Sequence, residues 1–181
     1  MIIACSPLAI KADRITPTLF LTTSTVDSTS ISSIKIPGVA LYLATIDVMT
    51  EHLSDLDIRN IRIESAPFLS MNDILAYSKN SYELTLTGEA CQKVQQLNVP
   101  MNGRPFIVYV GDEPIYSGAF WVSISSQSFD GMVIDTMSGC SDHSTIRIQL
   151  GYPEGLSFFK GEDTRSDPRI MQALERAGKL K

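Results

Sequence analysis

Few residues in this chain have both the type and the spacing to do chemistry. The stretch Cys140-Ser141-Asp142-His143 places one Cys and one His with two residues between them. A zinc site needs three or four such ligands, and no second pair lies nearby, so a polar loop is expected there and no metal. The acidic run Gly161-Glu162-Asp163-Thr164-Arg165-Ser166-Asp167 offers carboxylates for acid–base work or calcium. Its spacing is not that of a calcium-binding helix-loop-helix, and Arg165 and Arg169 can neutralise it locally. A Ser/His pair around His143 is a further possibility, since members of a catalytic triad need not be adjacent in sequence. No G-x-S-x-G turn presents a nucleophile. A hydrolase using Glu162 to Asp167 or His143 is therefore an alternative, behind a non-catalytic reading.

A further residue with chemistry is Cys5. Ile2-Ile3-Ala4-Cys5-Ser6 has the apolar, apolar, small, Cys order of a bacterial lipobox, in which the thiol takes a diacylglyceryl group. Only four residues precede Cys5, fewer than an export signal requires. A start assigned too far downstream would account for that; a chance tetrapeptide in a cytoplasmic domain is the alternative. Between Thr16 and Ser33, 11 of 18 residues are Ser or Thr, which suits a solvated tether. With Cys5 lipidated, Cys91 and Cys140 are the only pair left to form a disulfide, and spacing alone says nothing of their geometry. Cys91 also reads well as an ordinary buried free thiol.

The aromatic residues Tyr116, Phe120 and Trp121 are the candidate interaction residues. Together with Tyr109 they can form an exposed recognition patch, although strand alternation sends Phe120 and Trp121 towards core or rim packing. They follow the turn Gly111-Asp112-Glu113-Pro114, which reads better as the solvated tip of a hairpin than as the lip of a site.

These residues need a scaffold. The 181 residues, 44% hydrophobic and 19% charged, suffice for one domain with a proper core. A net charge of −5 argues against general nucleic-acid binding. No apolar run approaches the roughly 20 residues that span a bilayer. Residues 1–33 read as a leader remnant and tether, and 34–181 as the folded domain. Residues 38–46, GVALYLATI, read as a central strand. Ser70 with Asp73 caps a short helix over 71–77. Residues 82–86 alternate as a strand. Thr87 caps a helix to about Leu97 with Ala90, Cys91, Val94 and Leu97 inward. Strands follow at 106–110, 115–117, 120–123, 132–135 and 145–150. Asp167 and Pro168 start a last helix that Gly178 ends. The expectation is a single α+β domain, a mixed or antiparallel sheet with about three helices.

Residues 66–135 carry a resemblance. PFLSMNDILAY, YELTLTGEACQKVQQL, GRPFIVYVGDEPIYSGAF and FDGMVI are similar, in order and spacing, to the first periplasmic domain of SecD, a subunit of the bacterial protein-export machinery, as carried by uncharacterised bacterial lipoproteins. The resemblance implies an extracytoplasmic α+β module and transfers no functional residue; no cofactor is expected. The expected function is a lipid-anchored, extracytoplasmic module binding an unidentified protein or peptide.

Overall fold

The computed structural model describes residues 38–140 and 144–181, all within the compact unit Lys35–Lys181. Cys5, the Ser/Thr-rich stretch and His143 lie outside the described residues. Seven strands form one mixed sheet: β1 (Val39–Leu43), β2 (Ile74–Ser78), β3 (Glu83–Leu86), β4 (Arg104–Val110), β5 (Glu113–Trp121), β6 (Phe129–Asp135) and β7 (Thr145–Tyr152). Their spatial order is β1-β4-β5-β6-β7-β3-β2. Two α-helices, α1 (Gly88–Gln96) and α2 (Pro168–Arg176), and three short 3-10 turns complete the described fold. It is an α+β domain with one α-helix fewer than expected.

The missing helix is the one expected over 71–77. Ser70 donates from both its amide and its hydroxyl to Asp73 Oδ2, each at 2.8 Å, so the cap signal is real. It organises only the 3-10 turn Met71–Asp73. From Ile74 onward the chain is β2, paired antiparallel with β3. Ile74, Ala76 and Tyr77 are buried in that pairing, and a short polar cap cannot outweigh it.

β1 lies at one end of the strand order and not at its centre. Its sequence reads as central because its outer edge is covered. Leu41 exchanges backbone hydrogen bonds with Leu69, and Leu43 O accepts from Glu64 N–H. The opposite edge, β2, is covered at Tyr77, which pairs with Lys179 and Lys181. Capped edges of this kind keep a sheet from pairing with other chains.

β4 and β5 form the predicted hairpin, Val110 facing Glu113 across Gly111-Asp112. The pairing that sequence did not foretell is β5 with β6, which is parallel, with Trp121 beside Asp135. Phe129 therefore starts six residues behind the level of Trp121, about 20 Å along the strand. Residues 122–128 make that return. Tyr152 Oη donates to Ser123 O at 2.8 Å there, and Ser125 Oγ donates to Met101 O at 2.6 Å. Gly118 allows β5 a tight approach to its neighbours: a Cβ would lie 2.6 Å from both Met132 O and a Phe106 ring atom.

The sheet buries apolar residues on both faces. The larger core collects Leu41, Phe106, Phe120, Ile134, Ile148 and Leu86 with α1 and α2. α1 begins at Thr87, whose hydroxyl accepts from Ala90 N–H at 3.2 Å, and it buries Ala90, Cys91 and Val94; Leu97, expected on the same stripe, is half-buried at the helix end. α2 begins as predicted, with the Asp167 cap and Pro168 in the first turn, and buries Ile170, Ala173 and Leu174. The smaller core holds Leu53, Ile107, Trp121, Phe129 and Val133 on the other face.

Candidate functional site

The acidic loop is consumed by the fold. Asp163 accepts from Arg165 Nε at 2.9 Å and Nη2 at 2.7 Å. The Arg165 Nη1 donates to Ile148 O on β7 at 3.0 Å, and its guanidinium lies 3.5 Å above the Tyr82 ring. Tyr77 Oη, on β2, donates to Arg165 O at 3.0 Å. Arg165 thus pins the loop onto the sheet, with a buried side chain whose planar fork suits the carboxylate. Asp167 caps α2 and also accepts from Arg169 Nε and Nη2 at 2.9 and 2.7 Å. Arg169 Nη1 reaches on to Glu113 of the hairpin turn at 2.5 Å. The hydrogen bonds from Arg165 hold the Asp163 carboxyl below its ordinary value, and those from Arg169 do the same for Asp167. Both carboxylates are therefore poor proton donors at neutral pH. Burial pushes the Tyr77 and Tyr116 hydroxyls up, so neither supplies a phenolate. Among the described residues no group of three or more His, Cys, Asp or Glu is placed to hold a metal ion.

Glu162 differs from its neighbours. It lines a shallow groove of about 260 Å³ with Thr164, Asp130, Lys160 and Ser117. Lys160 Nζ stands 3.3 Å from Asp130 Oδ2 in a solvent-exposed pair. Hydroxyl side chains (Ser117, Thr164) and carboxylates (Asp130, Glu162) both line this groove, and His143 lies outside the described residues.

The aromatic platform expected at Tyr116, Phe120 and Trp121 is not on the surface. Their exposures are 7%, 0% and 2%. Tyr116 and Phe120 point into the larger core, where Phe120 meets Phe106 and Phe68 at ring distances of 5.2 and 5.4 Å. Trp121 points to the other face and stacks on Phe129 at 5.6 Å. Both faces of β5 are covered, so alternation places aromatic rings in two cores and none in solvent. The turn Gly111-Asp112 is the tip of a hairpin, as its pairing shows, and it also borders a broad surface depression with Ser70 and Asn72.

The surface offers a different set of apolar side chains. Met101, Ile124 and Met137 are 48%, 67% and 54% exposed. They sit where the chain leaves one end of the sheet. Arg104 pairs with Phe120, and Trp121 with Asp135, so residues 97–103, 122–125 and 136–139 emerge together. Beside them Leu97, Val99, Val122 and Met137 line a groove of about 430 Å³, with Gln95 and Thr136 among its polar groups and no charged side chain. The sequence signal was present: a lone Met or Ile inside the polar segments VPMNGR, SISSQ and DTMSGC. Strand and helix periodicity is blind to it.

One wall of that groove is stapled to the other. Cys91 on α1 and Cys140 on the β6–β7 connection form a disulfide, with Sγ–Sγ 1.96 Å and Cα–Cα 5.4 Å. Gln95 Nε2 donates to Cys140 O at 2.8 Å alongside it. Cys91 is buried, as its helix face implied, and bonded. Among the described residues no helix is long and apolar enough to cross a membrane. No family model, no curated protein and no solved structure matches this chain.

Proposed function

We propose that this chain is an extracytoplasmic, non-catalytic module that binds another protein or peptide and is held to the membrane by a lipid on Cys5. The observation that carries the reading is the Cys91–Cys140 disulfide. Such bonds persist in oxidising compartments and are rare in reducing ones. In an oxidising compartment the remaining Cys5 is an odd thiol able to mispair, and thioether linkage to a lipid removes it. The resemblance of 66–135 to the SecD periplasmic domain points to the same side of the membrane. Binding is favoured over catalysis because Asp163 and Asp167 serve as ion-pair and cap residues inside the fold. The contact surface in this reading is the sheet end bearing Met101, Ile124 and Met137, because exposed Met side chains adapt to varied partners. The hydrolase alternative rests on Glu162 and Thr164 lining the smaller groove.

The experiment is expression with the upstream region in a bacterial host fed labelled palmitate, with a photo-crosslinking residue at 124 or 137. The expected result is a labelled, membrane-bound protein giving one discrete adduct from either position and none from the exposed position 160. Cys5→Ser should lose label and membrane association. An unlabelled, soluble wild type without adducts would contradict the reading and leave a cytoplasmic domain. Activity on ester or peptide substrates that Glu162→Gln abolishes would favour the hydrolase.

A further inference from the structure

We propose that the interior of the sheet is a binding site for a small neutral molecule, apolar but for one oxygen, on the scale of a short-chain aliphatic alcohol or ketone. Such a site goes beyond the partner-binding reading and needs neither the lipid nor the partner.

The site is a cavity of about 40 Å³ in the larger core. Every strand supplies it with at least one side chain, from Leu41 on β1 to Ile74 on β2, the two ends of the strand order. Seven strands laid flat would hold those ends about 29 Å apart, so the sheet is rolled around this space. The roll is drawn together where Leu41 pairs with Leu69, shortly before β2 begins. α2 adds Ile170 and Leu174 to the lining. The inside of a rolled sheet is a common place for one small ligand.

The lining is aliphatic except at Tyr77, Tyr116 and Arg165. Two of these are engaged. Tyr77 Oη donates to Arg165 O at 3.0 Å, and the Arg165 guanidinium is held by Asp163 and the Ile148 carbonyl. Tyr116 is different. It is 7% exposed, and its hydroxyl has no hydrogen-bond partner among the described residues. After burial, the groups that act on this hydroxyl are Tyr77, Arg165 and Asp163. The first two line the cavity, so the polar end of Tyr116 is turned towards it. Buried hydroxyls in folded proteins are nearly always bonded, and leaving one unbonded is costly. Tyr116 also borders the surface groove of Glu162 and Thr164, so the route in runs past its ring.

Size and polarity choose the ligand. One water needs roughly 10–15 Å³ of such space, so the cavity has room for about three. Each buried water needs roughly two to four polar partners, more than this lining offers to three of them. A molecule of about four or five non-hydrogen atoms fills the same space. Its alkyl part meets Leu41, Val108 and Ile134, and its oxygen meets the Tyr116 hydroxyl. A charged ligand is excluded. Asp163 already neutralises Arg165, so a carboxylate or ammonium group would be buried without a counter-charge.

The test uses the purified full-length chain with isotope-labelled isoleucine methyl groups, titrated with n-butanol and, separately, with butanone, and followed by NMR. The expected result is saturable shifts at Ile134, Ile148 and Ile170, which line the cavity, and none at Ile107 of the smaller core. Tyr116→Phe keeps the ring and removes the hydroxyl, and should weaken binding roughly threefold to tenfold. Val108→Ile adds a methyl group to the lining and should weaken it roughly tenfold or more. No shifts, shifts that grow without saturating, or equal shifts at Ile107 would overturn the proposal. So would unchanged affinity in either folded variant, or cavity methyl groups that show contact with water alone at saturating ligand. If Val108→Ile fails to fold by circular dichroism, the wild-type titration and Tyr116→Phe decide.

Discussion

Replacing both Cys91 and Cys140 with Ala should remove a large share of the stability of this domain. The two residues are 49 apart in sequence, so the bond closes a loop of about 50 residues in the unfolded chain. Chain-entropy reasoning gives a loss near 14 cal/mol/K for that loop, or about 4 kcal/mol at 25 °C. A domain of this size is stable by roughly 5–15 kcal/mol in total. The variant should therefore remain folded but marginal. At about 2–4 °C per kcal/mol for a chain of this length, the thermal midpoint should fall by roughly 8–16 °C. The assay is urea unfolding followed by circular dichroism, on oxidised wild type, reduced wild type and the double variant. The last two should agree to within about 1 kcal/mol, since little but the cross-link separates them. A loss under about 1 kcal/mol in both would refute the reasoning. It would mean either that the bond is absent in the purified protein or that the unfolded chain already holds these residues together.

Three further outcomes test the rest of the fold. Arg165→Ala should cost about 2–3 kcal/mol in the same assay, because it strips partners from Asp163 and the Ile148 carbonyl at a buried position. Stability should decline as pH falls below the ordinary carboxylate value of 3.8, since Asp163 and Asp167 titrate lower in the folded chain. A depressed folded value adds stability that is present above the unfolded value and lost as pH falls through the folded one. Asp163→Asn should flatten that acid limb in pH-dependent unfolding, and an unchanged limb would count against the ion pair. Gly103→Ala should cost about 2–3 kcal/mol, because its φ is 82° and a Cβ would lie 2.5 Å from the Trp121 ring. A neutral result there would show that Trp121 can move.

Much of the scaffold was legible because local signals and tertiary packing agree. Thr87, Asp167 and Pro168 start helices where their cap chemistry says they should, and Gly111-Asp112 turns between two alternating strands. The signals failed where a tertiary partner decided the matter. Ser70 and Asp73 form their cap, but Ile74 to Tyr77 bury more apolar surface against β3 and the core than one more helical turn could. β1 reads as central because Leu69 and Glu64 cover its edge, which sequence does not record. The parallel β5–β6 pair depends on a seven-residue return that carries no motif. At the candidate site, the acidic loop was visible as a cluster, yet its meaning came from Arg165 reaching Ile148 and Tyr82. The aromatic residues of β5 were visible, yet alternation could not tell that both faces are covered. The Cys91–Cys140 contact needs α1 and the β6–β7 connection side by side, a geometry that spacing along the chain does not fix.

The central claim is that this protein lives where disulfides form. The most direct measurement is the thiol state of Cys91 and Cys140 in intact cells of its own source, quenched in acid and treated with a maleimide that adds mass. The expected result is no addition at either residue until a reductant is supplied, and then addition at both. Immediate addition at both, in protein that is otherwise folded, would contradict the extracytoplasmic reading.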